Sequence, residues 1–160
     1  MIIKKSKGCL YAIIDKIDRK YLINIPEDLI KKQKERDNNK YHITIINSSE
    51  IDKFDFDEIE VDDEYVNLGL SRIQKNDNEV FFLFVFSSYL NEIRKKFSLD
   101  EKYFHITLGF KFNDIHDKEK TLNNIILKND DINEELIYKI KDNNIKSFLK
   151  EYLFLPKMLI

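Results

Sequence analysis

Two short stretches of this sequence repeat one pattern of residues able to move protons. Tyr41-His42-Ile43-Thr44-Ile45 and Phe104-His105-Ile106-Thr107-Leu108 each read aromatic, histidine, isoleucine, threonine, aliphatic. The chain holds three histidines and three threonines, and two of each fall into this one His-x-Thr frame. Coincidence explains that poorly. In a β-strand successive side chains point to opposite faces. Each motif therefore sets an imidazole beside a hydroxyl, with apolar residues anchoring the strand behind. If both strands face one cleft, two imidazoles and two hydroxyls converge. That set suits phosphodiester cleavage. Histidine titrates near neutrality, so one ring can take a proton from the nucleophile while the other gives one to the leaving oxygen. The hydroxyls of Thr44 and Thr107 can donate to the non-bridging oxygens and hold the phosphate in line.

Blander readings compete. A lone strand histidine usually satisfies a core hydrogen bond, but a duplicated pattern fits that reading badly. A zinc site is a weaker rival: threonine is a poor ligand, Cys9 is remote in sequence, and no His-x-x-x-His helix exists. Neither a metal nor an organic cofactor is expected. A nucleotide-sensing module would need no second proton-transfer group. An interaction protein built on the acidic 48–63 stretch is the remaining alternative.

The elements that must position these residues are readable in outline. Residues 8–14 and 20–25 predict two short strands around a charged turn, Asp15 to Arg19. Pro26 opens a helix to Arg36, with Glu27 and Asp28 at its positive end and basic residues at its negative end. Asp37-Asn38-Asn39 breaks it. Residues 40–47 form the first motif strand, and 48–63 are irregular. Residues 64–74 and 79–87 predict a hairpin across Asn76-Asp77-Asn78. Ser87 or Ser88 caps a helix to Phe97. Residues 103–112 form the second motif strand, followed by helical patterns at 117–128, 131–141 and 144–154. No Pro/Gly/Ser-rich linker interrupts the chain, so a single domain over 1–160 is expected.

Composition bounds the function. Of the 160 residues 42% are hydrophobic and 12% aromatic, enough for a core, while charged residues make up 35% with a net charge of only -2. A chain that grips long nucleic acid is usually basic, so a nucleic-acid-like partner should be short. One cysteine permits no internal disulfide and fits a reducing compartment; Cys9 reads as a small buried hydrophobe. The longest apolar run, Val80 to Phe86, is far short of the roughly 18–20 residues a membrane helix needs. A cytoplasmic location is expected, with no membrane partner. Heavy use of Lys, Ile, Asn, Tyr and Phe suggests an A/T-rich genome, as in some large DNA viruses, parasites and amoebae.

At His42, Thr44, His105 and Thr107 the chain resembles the 2H phosphoesterase superfamily, which is named for two His-x-Thr/Ser motifs. The extension His105-Ile106-Thr107-Leu108-Gly109-Phe110, then Asp114-Ile115-His116, is similar to a subgroup found in RNA-repair-like proteins. The resemblance implies an α+β bilobal fold: two antiparallel sheets related by a pseudo-twofold, helices outside and a central cleft. It implies a metal-independent phosphodiesterase without cofactor. Substrates of the superfamily include 2',3'-cyclic phosphates, ADP-ribose cyclic phosphates, 2'-5' oligoadenylates and cyclic dinucleotides; fold and motif do not choose among them. Small size and near-neutral charge favour a small nucleotide. Viral members of the superfamily destroy immune nucleotide messengers, and with an A/T-rich composition that also fits a virus the resemblance implies 2'-5' bonds in messengers such as 2',3'-cGAMP, with immune evasion as the setting. RNA-end 2',3'-cyclic phosphates are the alternative. Candidate substrate-binding residues are Tyr11 (stacking), Arg72 and Lys111 (phosphate charge), Gly109 (on the same expected face as His105, leaving room for ligand, or marking a strand irregularity) and His116 (reaching a phosphate, or pinning its loop). Tyr65 is a further aromatic nearby. Tyr41 and Phe104 should face away into the core.

Overall fold

The computed structural model describes residues 1–63, 65–132 and 143–153. A hairpin opens the chain: β1 (Ile2–Ser6) and β2 (Cys9–Ile14) are joined through Lys7 and Gly8, both at positive φ (50° and 78°). Left-handed residues match the natural twist of a two-residue hairpin. Two helices follow, α1 (Arg19–Leu22) and α2 (Glu27–Arg36), leading to β3 (Tyr41–Ile46). After β4 (Ile59–Glu60) come β5 (Val66–Lys75), β6 (Asn78–Phe86), α3 (Ser88–Lys96) and β7 (Phe104–Phe110). A 3-10 turn (Leu122–Asn124), β8 (Ile125–Lys128) and α4 (Asn143–Leu153) complete the described elements.

The strands form one sheet in the order β4-β1-β2-β3-β7-β6-β5-β8, antiparallel throughout. The α+β class stands. Two separate sheets were expected; instead the motif strands β3 and β7 pair directly through Ile43 and Ile106 and fuse the halves. Each half runs strand, strand, helical connection, strand: β1-β2-α2-β3 and β5-β6-α3-β7.

One face of the sheet packs on the helices. Ile43, Ile45, Ile106 and Leu108 are fully buried there with Leu29 and Leu90. The other face carries a second core of Phe82, Phe84, Phe86, Phe110, Ile115, Ile125 and Leu149. β6 is thus covered on both sides, which is why residues 80–86 are all apolar. Tyr41 and Phe104 lie in the helix-side core as expected.

Two element expectations fail, and one strand went unread. Residues 20–25 are not a strand. Asp18 accepts from the Lys20 amide at 3.0 Å and caps α1, and Tyr21 and Ile25, one helical turn apart, are both buried. β1 went unread because Ile2-Ile3-Lys4-Lys5 pairs like residues instead of alternating them and so lacks the period of two that marks a strand, yet it pairs with β2 along its whole length. Residues 117–128 form no α-helix; the 3-10 turn at Leu122–Asn124 is their one helical piece. Asn124 accepts from the Thr121 amide at 2.7 Å to close the turn, and Ile125, Leu127 and Lys128 then pair with Ser71, Leu70 and Gly69. Covering the exposed edge of β5 outweighs the weak helical periodicity. The 131–141 pattern lies mostly outside the described residues, and α4 matches the 144–154 pattern within one residue. Among the described residues no helix is long and apolar enough to cross a membrane.

Candidate active site

The antiparallel pairing of Ile43 with Ile106 fixes the relation of the two motifs. Carried one residue either way, it sets His42 opposite Thr107 and Thr44 opposite His105. All four side chains project from the face away from the helices. His42, Thr44 and His105 are half-buried, Thr107 is buried, and the isoleucines between them are fully buried on the other side. Each imidazole therefore neighbours two hydroxyls, one along its strand and one across.

The strands are held rigidly. The Asn91 side chain of α3 exchanges two hydrogen bonds with the backbone of Lys102, donating to its carbonyl and accepting from its amide, both at 3.0 Å. That fixes the entry to β7. Arg94, buried on the same helix, donates to the Ile45 carbonyl at 2.8 Å and to both oxygens of Glu50. That fixes the exit of β3. Ser87 caps α3 by accepting from the Leu90 amide at 3.0 Å, as expected.

A network of charges borders the histidines. The Asp37 carboxylate accepts two bonds from Arg36, at 2.9 and 2.7 Å, and lies 3.6 Å from His42 Nδ1. Thr107 donates to Asp114 Oδ2 at 2.8 Å. Arg36 Nη1 stands 3.6 Å from that same oxygen, and Lys120 Nζ 3.9 Å from the other. Lys120 also donates to the Ile115 carbonyl at 2.7 Å. Among the described residues no partner takes the Thr44 hydroxyl.

Burial is the leading influence on both imidazoles and lowers both. His42 falls below its ordinary value, with Asp37 opposing the shift. His105 is pushed down to about 3, and the Lys120 ammonium adds to the effect of burial. Both rings are thus neutral at pH 7 in the free protein. Asp114 is held below the usual carboxylate range: its burial acts the other way, but Lys120 and the Thr107 hydroxyl outweigh it. Burial lowers Lys120 from its ordinary value. Among the described residues no group of three or more His, Cys, Asp or Glu is placed to hold a metal ion.

The other sequence candidates divide. Tyr11 pairs with Thr44 across β2 and β3 and packs its ring edge on His42, centroids 5.1 Å apart. Burial, with a hydrogen bond to Cys9, pushes its hydroxyl up to about 12. Cys9 is half-buried rather than sealed in the core. His116 is exposed and lines a hollow with Arg36 and Asp114. Gly109 is not on the His105 face. A register shift in β7 sets Thr107 opposite Phe82 but Gly109 opposite Phe81, leaving Leu108 as an extra residue and turning Gly109 to the helix side. A Cβ there would come within 3.1 Å of the Leu29 carbonyl carbon. Arg72 is likewise on the helix side, opposite Phe81 and paired with Glu79. Tyr65 packs partly buried against the helix-side core. Lys111 follows β7, its ammonium 5.0 Å from the Phe112 ring centroid.

Sequence reading missed Asp37, Arg36 and Lys120. Asp37 read as a helix breaker, and Arg36 as a helix-end charge. Lys120 fell in a stretch misread as helix. Only Asp114, in Asp114-Ile115-His116, carried a sequence signal.

A sequence model of the family described as "Swiss Army Knife, 2H phosphoesterase domain" matches residues 9–116, more than half of the chain and both motifs. Neither the curated proteins nor the solved structures gave a match.

Proposed function

The chain belongs to the 2H phosphoesterase family, and from that premise we propose that it is a metal-independent phosphodiesterase whose acid and base are His42 and His105. The observation that carries this is the cross-strand pairing, which gives each imidazole a threonine on its own strand and another opposite. A phosphate seated over the β3–β7 pair meets all four groups at once.

The free site holds two neutral rings, whereas acid–base catalysis needs one charged. The substrate supplies the difference. An anionic phosphodiester beside an imidazole favours its protonated form. Of the two, His42 has a carboxylate at Nδ1 to stabilise a proton, while His105 faces the Lys120 ammonium. His42 then acts as the acid that protonates the leaving oxygen. His105 begins neutral and takes the proton of the attacking water or neighbouring hydroxyl. Thr44 donates to a non-bridging oxygen. Thr107, whose proton is held by Asp114, is steered by that bond. Lys120 supplies the positive charge that balances the phosphate.

The repeated connectivity supports two lobes related by a pseudo-twofold, one motif each, within one domain over 1–160. The substrate is a small nucleotide with a 2'-5' bond, either a cyclic dinucleotide such as 2',3'-cGAMP or 2'-5' oligoadenylate. The modest net charge supports a short substrate. The test is chromatography of the protein, in EDTA, with four compounds: 2'-5'-linked cyclic GMP-AMP, its all-3'-5' isomer, 2'-5' oligoadenylate and a 2',3'-cyclic mononucleotide. Cleavage confined to the 2'-5' compounds is the expected result. Cleavage of the cyclic mononucleotide alone would move the activity to RNA ends, and cleavage only after divalent metal is restored would contradict the two-histidine chemistry.

A further inference from the structure

The loop that leaves β7 carries an exposed aromatic ring on a fixed backbone. Phe112 is 59% exposed. Its loop is tied down from the start of β6. The Phe112 amide donates to Asn78 Oδ1 at 3.1 Å, Asn78 Nδ2 donates to the Asn113 carbonyl at 2.9 Å, and the Lys111 amide donates to the Glu79 carbonyl at 2.9 Å. A large apolar side chain is thus held with more than half of its surface open to solvent. Beside it opens a cavity of about 620 Å³, bordered by Lys32, Arg36, Phe110, Asp114 and His116, within the roughly 300–1,000 Å³ usual for small-molecule sites.

This cavity adjoins the histidines through shared residues. Asp114 lines it and takes the Thr107 hydroxyl; Arg36 lines it and holds Asp37 against His42. Its cations, Lys32 and Arg36, are balanced by Glu35 and Asp114 on the same wall. That balance suits an uncharged planar group better than a second phosphate. Arg36 lies over the Phe110 ring at 4.9 Å, and Lys32 and Lys111 ammonium groups lie 5.5 and 5.0 Å from the Phe112 centroid. Exposed cation–π contacts of this kind are weaker than the stacking of a base on an aromatic ring. The lysines can therefore give way to a base.

We infer that Phe112 and its cavity form a nucleobase subsite that takes a base of the same substrate whose phosphate lies over His42 and His105. The inference rests on the phosphodiesterase reading and sharpens it: the substrate carries a base that reaches past the reacting phosphate, along β7 towards Phe112. Substrate contact on this side falls to Phe112, an exposed phenyl ring on the cavity wall, rather than to the buried aromatics of the motifs.

Calorimetry on the His105→Ala variant separates binding from turnover. The probes are 2'-5'-linked adenylyl-adenosine and two analogues, each with one base replaced by hydrogen. Adding Phe112→Ala should weaken the two-base probe about tenfold. One of the abasic analogues should already be weakened and lose little more. Phe112→Trp should restore or tighten binding. Kd values for Phe112→Ala within twofold on every probe, with wild-type cleavage intact, would overturn the subsite and leave the phosphodiesterase reading standing. The expected binding pattern in a protein whose wild type cleaves no nucleotide would support the subsite and sink that reading instead. Absence of binding by every form would overturn the subsite.

Discussion

Asp37 shows how one carboxylate can separate the roles of two similar histidines. Burial drives both rings towards the neutral form, and Asp37 is the largest influence opposing this at His42. Replacing it with Asn removes that opposition and lets His42 fall further. As the acid, His42 must be protonated, so the basic limb of the kcat profile should move to lower pH in Asp37→Asn. Turnover should fall by about tenfold, short of the roughly 100- to 10,000-fold carried by a general acid itself. An unmoved basic limb would show that Asp37 only braces Arg36. The two motifs themselves were fully legible in the sequence, because strand alternation converts His-x-Thr directly into a shared face. Asp37 was not legible, because nothing in Asp37-Asn38-Asn39 says that the turn after α2 folds back on β3.

At the level of the elements, the feature that Gly109 only hinted at is the bulge in β7. Simple alternation places Gly109 with His105 and Thr107, and the extra residue at Leu108 reverses that. A bulge is one added residue in one strand and leaves no period of its own in a sequence. The consequence is mechanical: without a side chain, Gly109 lets the backbone of α2 lie close on β7. The terminus of that helix carries Arg36 and Asp37. Gly109→Ala must push on the backbone at Leu29 and Ile30, which lie 3.1 and 3.2 Å from the added carbon. We expect a loss of about 1–3 kcal/mol in urea unfolding, the usual cost of overpacking, and a fall in turnover without contact with substrate. Unchanged stability would mean that α2 shifts freely. The hairpin β5–β6 and the cap at Ser87 were legible because their turn residues have local causes. β8 was not, since its strand form depends on a distant partner edge.

For the whole molecule, the half-buried histidines couple the site to acid stability. His105 has an ordinary value of 6.5 and a folded value of about 3. Between those limits the unfolded chain binds a proton that the folded chain refuses. Stability is therefore complete above pH 6.5 and falls as the pH drops through that value towards 3. His42 acts in the same direction. Asp114, with a lowered value, loses its contribution only below the ordinary 3.8. Thermal unfolding of His105→Gln should accordingly depend less on pH between 6.5 and 4 than that of the wild type; parallel curves would place the proton uptake elsewhere. A bound phosphate analogue should reduce the same acid sensitivity, because it stabilises the charged rings that the free fold rejects.

The central claim is that two histidines on paired strands cleave a phosphodiester together. Single-turnover cleavage of a 2'-5'-linked dinucleotide, in EDTA, by the wild type, His42→Ala, His105→Ala and the double variant tests it most directly. Each single variant should lose at least about 100-fold in rate while still binding the dinucleotide. The double variant should lose little more than the worse single, because acid and base act as one unit. Cleavage by either single variant at the wild-type rate would contradict the account.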